Sequence, residues 1–151
     1  MPFKTKKYLS LIFIIFACFI FSGNSFSEPD PEYIIVKFID YTNKKEFKKA
    51  YQLLCSSARN DISYENFLEQ SEKIIRSEIR KMKLIESGDN YREYIIKIWI
   101  ILFQDEKKIK ALYEGKASIN RVNNKWYILS VEMKPTAAKS SDKKIIFGSG
   151  K

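Results

Sequence analysis

The chain has no histidine at any of its 151 positions. That absence excludes Ser-His and Cys-His nucleophile systems, a histidine general base and most zinc sites. Cysteine is nearly as scarce, with Cys18 and Cys55 the only two. Five glycines are scattered too widely to form a phosphate-cradling loop, and neither EF-hand spacing nor a Cys cluster occurs. No metal site and no cofactor is therefore expected. The acids that could serve as general bases, Asp40, Asp61, Asp89 and Asp105, all fall at expected helix ends or turns. A carboxylate working as a base near neutral pH needs burial to shift it. No catalytic residue is assigned, and the chain is read as a non-enzyme.

What is present begins with a basic head, Lys4, Lys6 and Lys7, and an apolar run from Tyr8 to Phe21. Small residues Ser25 and Ser27 follow, giving the layout of a secretory signal peptide over residues 1–27. The apolar run of about 14 residues is short of the roughly 20 that span a bilayer. Cleavage near Ser27 gives an exported protein that is periplasmic, secreted or envelope-associated. Two alternatives stay open. Ile15-Phe16-Ala17-Cys18 resembles a lipoprotein box, so Cys18 is a candidate lipidation site, and the segment could also stay as an uncleaved anchor.

Removing the three leader lysines lowers the formal charge from +9 to +6. A basic excess of that size favours anionic neighbours such as an envelope polymer or a membrane surface. Export argues against nucleic acid as the partner. Lys44, Lys45, Lys48 and Lys49 form one basic cluster, and Arg76, Arg80, Lys81 and Lys83 form another. Cleavage also leaves Cys55 alone, so the core must hold without an internal disulfide. Cys55 reads as a buried thiol, or as a cross-link between two chains.

Residues 28–134 read as one domain and residues 135–151, rich in Lys, Ser and Gly, as a disordered basic tail. Asp30 caps a first helix that has Pro31 in its first position and Ile34, Ile35, Phe38 and Tyr41 on its apolar face. Asn43-Lys44-Lys45-Glu46 reads as a capping box for a second helix with Phe47, Ala50, Tyr51 and Leu54. Ser56–Ile62 is expected as a loop, and Ser63 caps a third helix carrying Tyr64, Phe67, Ile74 and Ile75. The period then shortens to two. Strands are expected over 78–87, 91–103, 107–121 and 125–133, joined by tight turns into an antiparallel meander.

Alternation gives the sheet two faces. Tyr94, Ile96, Ile98, Ile100 and Leu102 should meet the helices, with Ile109, Ala111, Tyr113, Ala117 and Ile119 beside them. Tyr127, Leu129, Val131 and Met133 should continue that face on the last strand, and Met82 and Leu84 on the first. The opposite face collects Lys97, Trp99, Ile101, Phe103, Leu112, Trp126 and Ile128, with Glu114 among them. An outward face rich in aromatics marks a contact surface, and lysines suit its rim.

The segments Pro31–Phe38, Glu46–Leu54 and Ser63–Phe67, with the closing Val122-Asn123-Asn124-Lys125-Trp126-Tyr127-Ile128, resemble the NTF2-like (cystatin-like cone) superfamily. They are most similar to its small exported domains of unknown function, the DUF4878-like group. The resemblance implies an α+β fold with three N-terminal helices on a four-stranded curved antiparallel meander. It also implies a cavity between helices and sheet, and often dimerisation through the sheet. It implies no reaction, although relatives include isomerases and dehydratases. The expected function is a non-catalytic interaction module of the cell envelope. Its partner is an envelope protein or a second copy bound through the outer sheet face. The alternative is a small apolar ligand held in the cone by Tyr41, Tyr51, Tyr94 and Tyr113, whose hydroxyls would supply the few polar contacts.

Overall fold

The computed structural model describes residues 30–136 and the backbone of 145–147. The expected leader with Cys18, and most of the tail, lie outside the described residues. Asp30 opens the first helix, α1 (Glu32–Asn43), by accepting the Glu32 N–H on its carboxylate at 3.2 Å. Ile35, Phe38 and Thr42 are the buried stripe of α1. Thr42 lies among apolar side chains because its hydroxyl donates to the Phe38 carbonyl at 2.9 Å. Three short helices follow: α2 (Phe47–Gln52), α3 (Ser56–Asp61) and α4 (Tyr64–Glu72). The expected cap at Ser63 forms, its hydroxyl accepting the Asn66 N–H at 3.2 Å. Phe67 of α4 packs edge-on against Phe38 at 6.1 Å between ring centroids and against Tyr51 at 5.4 Å.

The helices cover one face of a sheet ordered β1 (Ile74–Ser87), β2 (Tyr91–Gln104), β3 (Lys107–Val122), β4 (Lys125–Pro135) and β5 (Ile145–Phe147). All neighbours run antiparallel, so the fold is an α+β meander. Asp105-Glu106 and Asn123-Asn124 make the two-residue turns, each residue with φ between 49° and 62°. That geometry matches the strand twist and suits Asn well. The core is the expected row Tyr94, Ile96, Ile98 and Ile100, with Tyr113, Ala117 and Ile119 beside it and Ile35, Phe38 and Phe67 from the helices. Each large apolar side chain so buried contributes about 1.5–3 kcal/mol, most of which conformational entropy offsets. Leu84 and Ile109 share the inner parity, yet they are 43% and 39% exposed because their strands run past the helices.

Five sequence expectations are corrected. Ile74 and Ile75, expected on the third helix, open β1 instead, the helix ending at Glu72. Ser56–Asp61 is helical, because Cys55 caps it through its sulfur, 3.4 Å from the Ala58 N–H, and Ala58 is buried. There are thus four helices among the described residues. The tail is not wholly irregular: Ile145–Phe147 pair with Val131–Met133 as a fifth strand. The expected capping box does not form, because the Asn43 side chain is used elsewhere. Last, β4 does not keep one parity. Ser118 pairs Ser130 but Ile119 pairs Ile128, leaving Leu129 as a bulge. Above the bulge Val131 and Met133 face the helices as expected. Below it the faces exchange: Ile128 is fully buried and Trp126 lies on the helix side.

Asn43 closes an open edge. Its amide oxygen accepts the Ser77 N–H at 2.7 Å and its amide nitrogen donates to the Ser77 carbonyl at 2.8 Å. The side chain thereby stands in for a missing neighbour strand at β1. Asn43→Ala leaves a buried backbone donor and acceptor unpaired, a loss expected to cost about 1–3 kcal/mol. Urea unfolding should show a lower midpoint with an unchanged slope. A cost below about 0.5 kcal/mol would mean that water satisfies Ser77 and the clamp is dispensable.

Candidate functional site

The outer sheet face is built on β2 and β3, where alternation sends every second side chain away from the helices. Trp99 sits opposite Glu78 on β1 and Leu112 on β3. Ile101 sits between Arg76 and Lys110. Trp99, Ile101 and Leu112 are half-buried, and Phe103 at the end of the row is 50% exposed. The Lys110 ammonium lies 5.0 Å from the centroid of the Trp99 ring, an attraction between cation and π-face. Arg76, Glu78, Trp99, Ile101 and Lys110 enclose a shallow groove of about 190 Å³. Cross-strand ion pairs flank it, with Lys97 to Glu114 at 3.0 Å and Lys116 to Glu93 at 2.9 Å. The expected residues Lys97, Trp99, Ile101, Phe103 and Leu112 therefore share one surface. Trp126 and Ile128, expected with them, do not: the Leu129 bulge puts both on the helix side.

The four tyrosines expected around a cone cavity do not surround one. Tyr94 is 2% exposed and Tyr113 is also buried, and both are packed into the core. Tyr51 turns its hydroxyl to the Ile62 carbonyl at 2.9 Å and the Arg59 carbonyl at 3.2 Å. Tyr41 lies under two ammonium groups, Lys49 at 5.5 Å and Lys37 at 5.6 Å. A cavity between helices and sheet, bounded by Phe38, Thr42, Ile98 and Met133, holds only about 30 Å³. A volume of that size is on the order of one water, far below the roughly 300 Å³ of a small-ligand pocket.

A larger cleft opens at the rim. It holds about 370 Å³ between the first turns of α1 and the β3–β4 turn. Tyr33, Ile34 and Lys37 form the helix wall, Lys125 and Trp126 the strand wall, and Leu53 also lines it. The Arg92 guanidinium is 5.3 Å from the centroid of the Trp126 ring. Arg92 is itself held, donating to the Tyr91 carbonyl at 2.8 Å and to the Gly88 carbonyl. Tyr33 and Lys37 escaped the sequence reading as site residues. Their signal was the i, i+4 stripe Tyr33-Lys37-Tyr41, in which one ammonium sits 5.5 Å from the first ring and 5.6 Å from the second.

No protein-family model matches the chain, and no curated protein matches it. Among solved structures, the chain is similar to an NTF2-like protein of unknown function from Prochlorococcus marinus. That likeness has 15% identity and a TM-score of 0.41, and covers 53% of this chain and 65% of the other.

The buried Tyr94 phenol yields a pH prediction. Burial, reinforced by the negative charges of Glu32 and Asp30, pushes it up from the ordinary 10.0 to about 12. Burial raises Tyr113 as well. A phenol held above its unfolded value stabilises the fold fully below the unfolded value, and that contribution is lost as pH rises toward the folded one. Stability should therefore fall as pH rises from about 10 to about 12. Tyr94→Phe should flatten the fall, measured by urea midpoints across that window. An unchanged slope would sink the assignment.

Proposed function

We propose that the chain is an exported, non-catalytic binding module of the NTF2-like, DUF4878-like kind, working in the cell envelope through its outer sheet face. The single observation carrying this reading is the Trp99-Ile101-Leu112-Phe103 surface, an apolar strip that none of the described helices covers, rimmed by charges of both signs. Its occupant is a second copy of the chain. A two-fold interface must complement itself. Here Arg76, Lys97 and Lys110 alternate with Glu78 and Glu114, so a rotated copy can oppose acid to base. A uniformly anionic partner would be matched by a uniformly basic face, and this one is mixed.

The non-catalytic reading rests on chemistry that is missing from the sequence and on where the acids stand. Asp61, Asp89 and Asp105 are exposed. Asp40 faces Lys44 at 2.7 Å and Glu114 faces Lys97 at 3.0 Å. None of these is a carboxylate enclosed in an apolar pocket of the kind that general-base work needs. Export rests on the basic head and apolar run of residues 4–21.

Sedimentation of wild type against Trp99→Glu tests the interface. Wild type is expected to be a dimer and the variant a monomer, with the affinity lost by at least about a hundredfold, as for an apolar hot spot replaced by a charge. Monomers in both samples would refute self-association through this face. Mass measurement of the exported protein tests the address. Loss of residues 1–27 supports a cleaved leader, added diacylglycerol at Cys18 supports anchoring there, and an intact cytosolic chain overturns export.

A further inference from the structure

We infer that the rim cleft between α1 and the β3–β4 turn binds a small planar aromatic molecule carrying an anionic group. This site lies on the helix side of the sheet and is independent of the outer face. Three observations carry it. The first is room: about 370 Å³ lies within the roughly 300–1,000 Å³ range of small-molecule sites, whereas the core cavity does not.

The second is unspent positive charge. Lys44, Lys49, Lys73, Lys97 and Lys116 each have a carboxylate within 3.0 Å. Lys37 and Lys125, the two lysines lining the cleft, have no carboxylate partner among the described residues. The acid that lines the cleft, Asp30, is already engaged, its Oδ1 accepting the Glu32 N–H. Two ammonium groups without a carboxylate partner, against the single carboxylate of Asp30, leave the cleft with a net positive charge. A charge-assisted contact from either lysine is stronger than one between neutral groups.

The third is a fixed aromatic wall. Trp126 is half-buried, and Arg92, tethered to two carbonyls, lies against its ring. A positioned indole is a stacking surface for a flat ring, with little side-chain freedom left to lose on binding. Tyr33, 51% exposed on the facing helix, is the second ring of the cleft. A purely apolar ligand would leave both ammonium groups unmatched. An extended anionic polymer would require a line of cations, whereas among the described residues two lysines line this cleft.

The test uses 2-naphthoate as probe and the indole N–H signals of the two tryptophans as reporters, assigned with Trp99→Phe. The Trp126 signal should shift saturably while the Trp99 signal stays still. Lys37→Glu and Lys125→Glu, both on the surface, should each weaken binding by at least about tenfold with the rest of the spectrum intact. The neutral analogue 2-naphthalenemethanol should bind about tenfold more weakly than the acid. A Trp126 signal that does not move overturns the inference. So does equal affinity for acid and alcohol, or for wild type and the lysine variants. Equal shifts at Trp99 and Trp126 would show adventitious binding only.

Discussion

One unpaired residue, Leu129, decides what each face of this sheet is for. Without it, two-residue alternation would carry Trp126 and Ile128 outward to join Trp99. With it, Ile128 enters the core and Trp126 becomes a wall of the rim cleft. The bulge is held from the free edge of β4. Ile128 donates to the Leu53 carbonyl and accepts the Cys55 N–H, both at 2.8 Å, so both of its backbone groups face the segment between α2 and α3. That short parallel bridge locks the offset in place. It also ties the position of Leu53, which lines the cleft, to the backbone beside Trp126.

The same economy of partners governs the sheet edges. An open edge invites pairing with another chain. On β4 the edge is occupied twice, by Leu53–Cys55 at Ile128 and by Ile145–Phe147 at Val131–Met133. On β1 the Asn43 amide takes both backbone groups of Ser77, and the Lys45 ammonium takes the Ile74 carbonyl. β1 also breaks register at Ile75, Arg80 and Ile85, and Lys81 and Lys83 add charge. An irregular, charged strand is a poor template for β-addition. The proposed self-association rests instead on the sheet face where Trp99 stands.

Much of this architecture was legible because it is local or periodic. The caps at Asp30 and Ser63 depend on neighbours two and three residues away. The row from Tyr94 to Ile100 alternates without interruption, and its strand proved to be the middle of the core. The failures at Asn43, at the Leu129 bulge and in the tail share one cause: each depends on a partner far away in sequence. Asn43 could cap a helix or pair a strand, and an unpaired Ser77, 34 positions on, settles the matter. Trp126-Tyr127-Ile128-Leu129 is apolar at every position, so either register reads equally well and the bulge leaves no trace in the pattern. The short tail segment Ile145–Phe147 becomes a strand only because β4 has a free edge to offer.

The filled core explains why both candidate surfaces lie at the periphery. Gly115 shows how tightly the sheet is drawn together: a Cβ there would come within 1.8 Å of the Glu132 carbonyl oxygen. That close approach draws β4 tightly against β3, and Tyr94 and Tyr113 fill the interior between sheet and helices. Evicting either ring to admit a ligand would create a void and strand a phenol, which together cost more than a small molecule can return. Both candidate surfaces lie where the packing already ends. One is the outer face, which none of the described helices covers. The other is the rim where α1 begins, where Trp126 is turned inward and packs at the margin of the core.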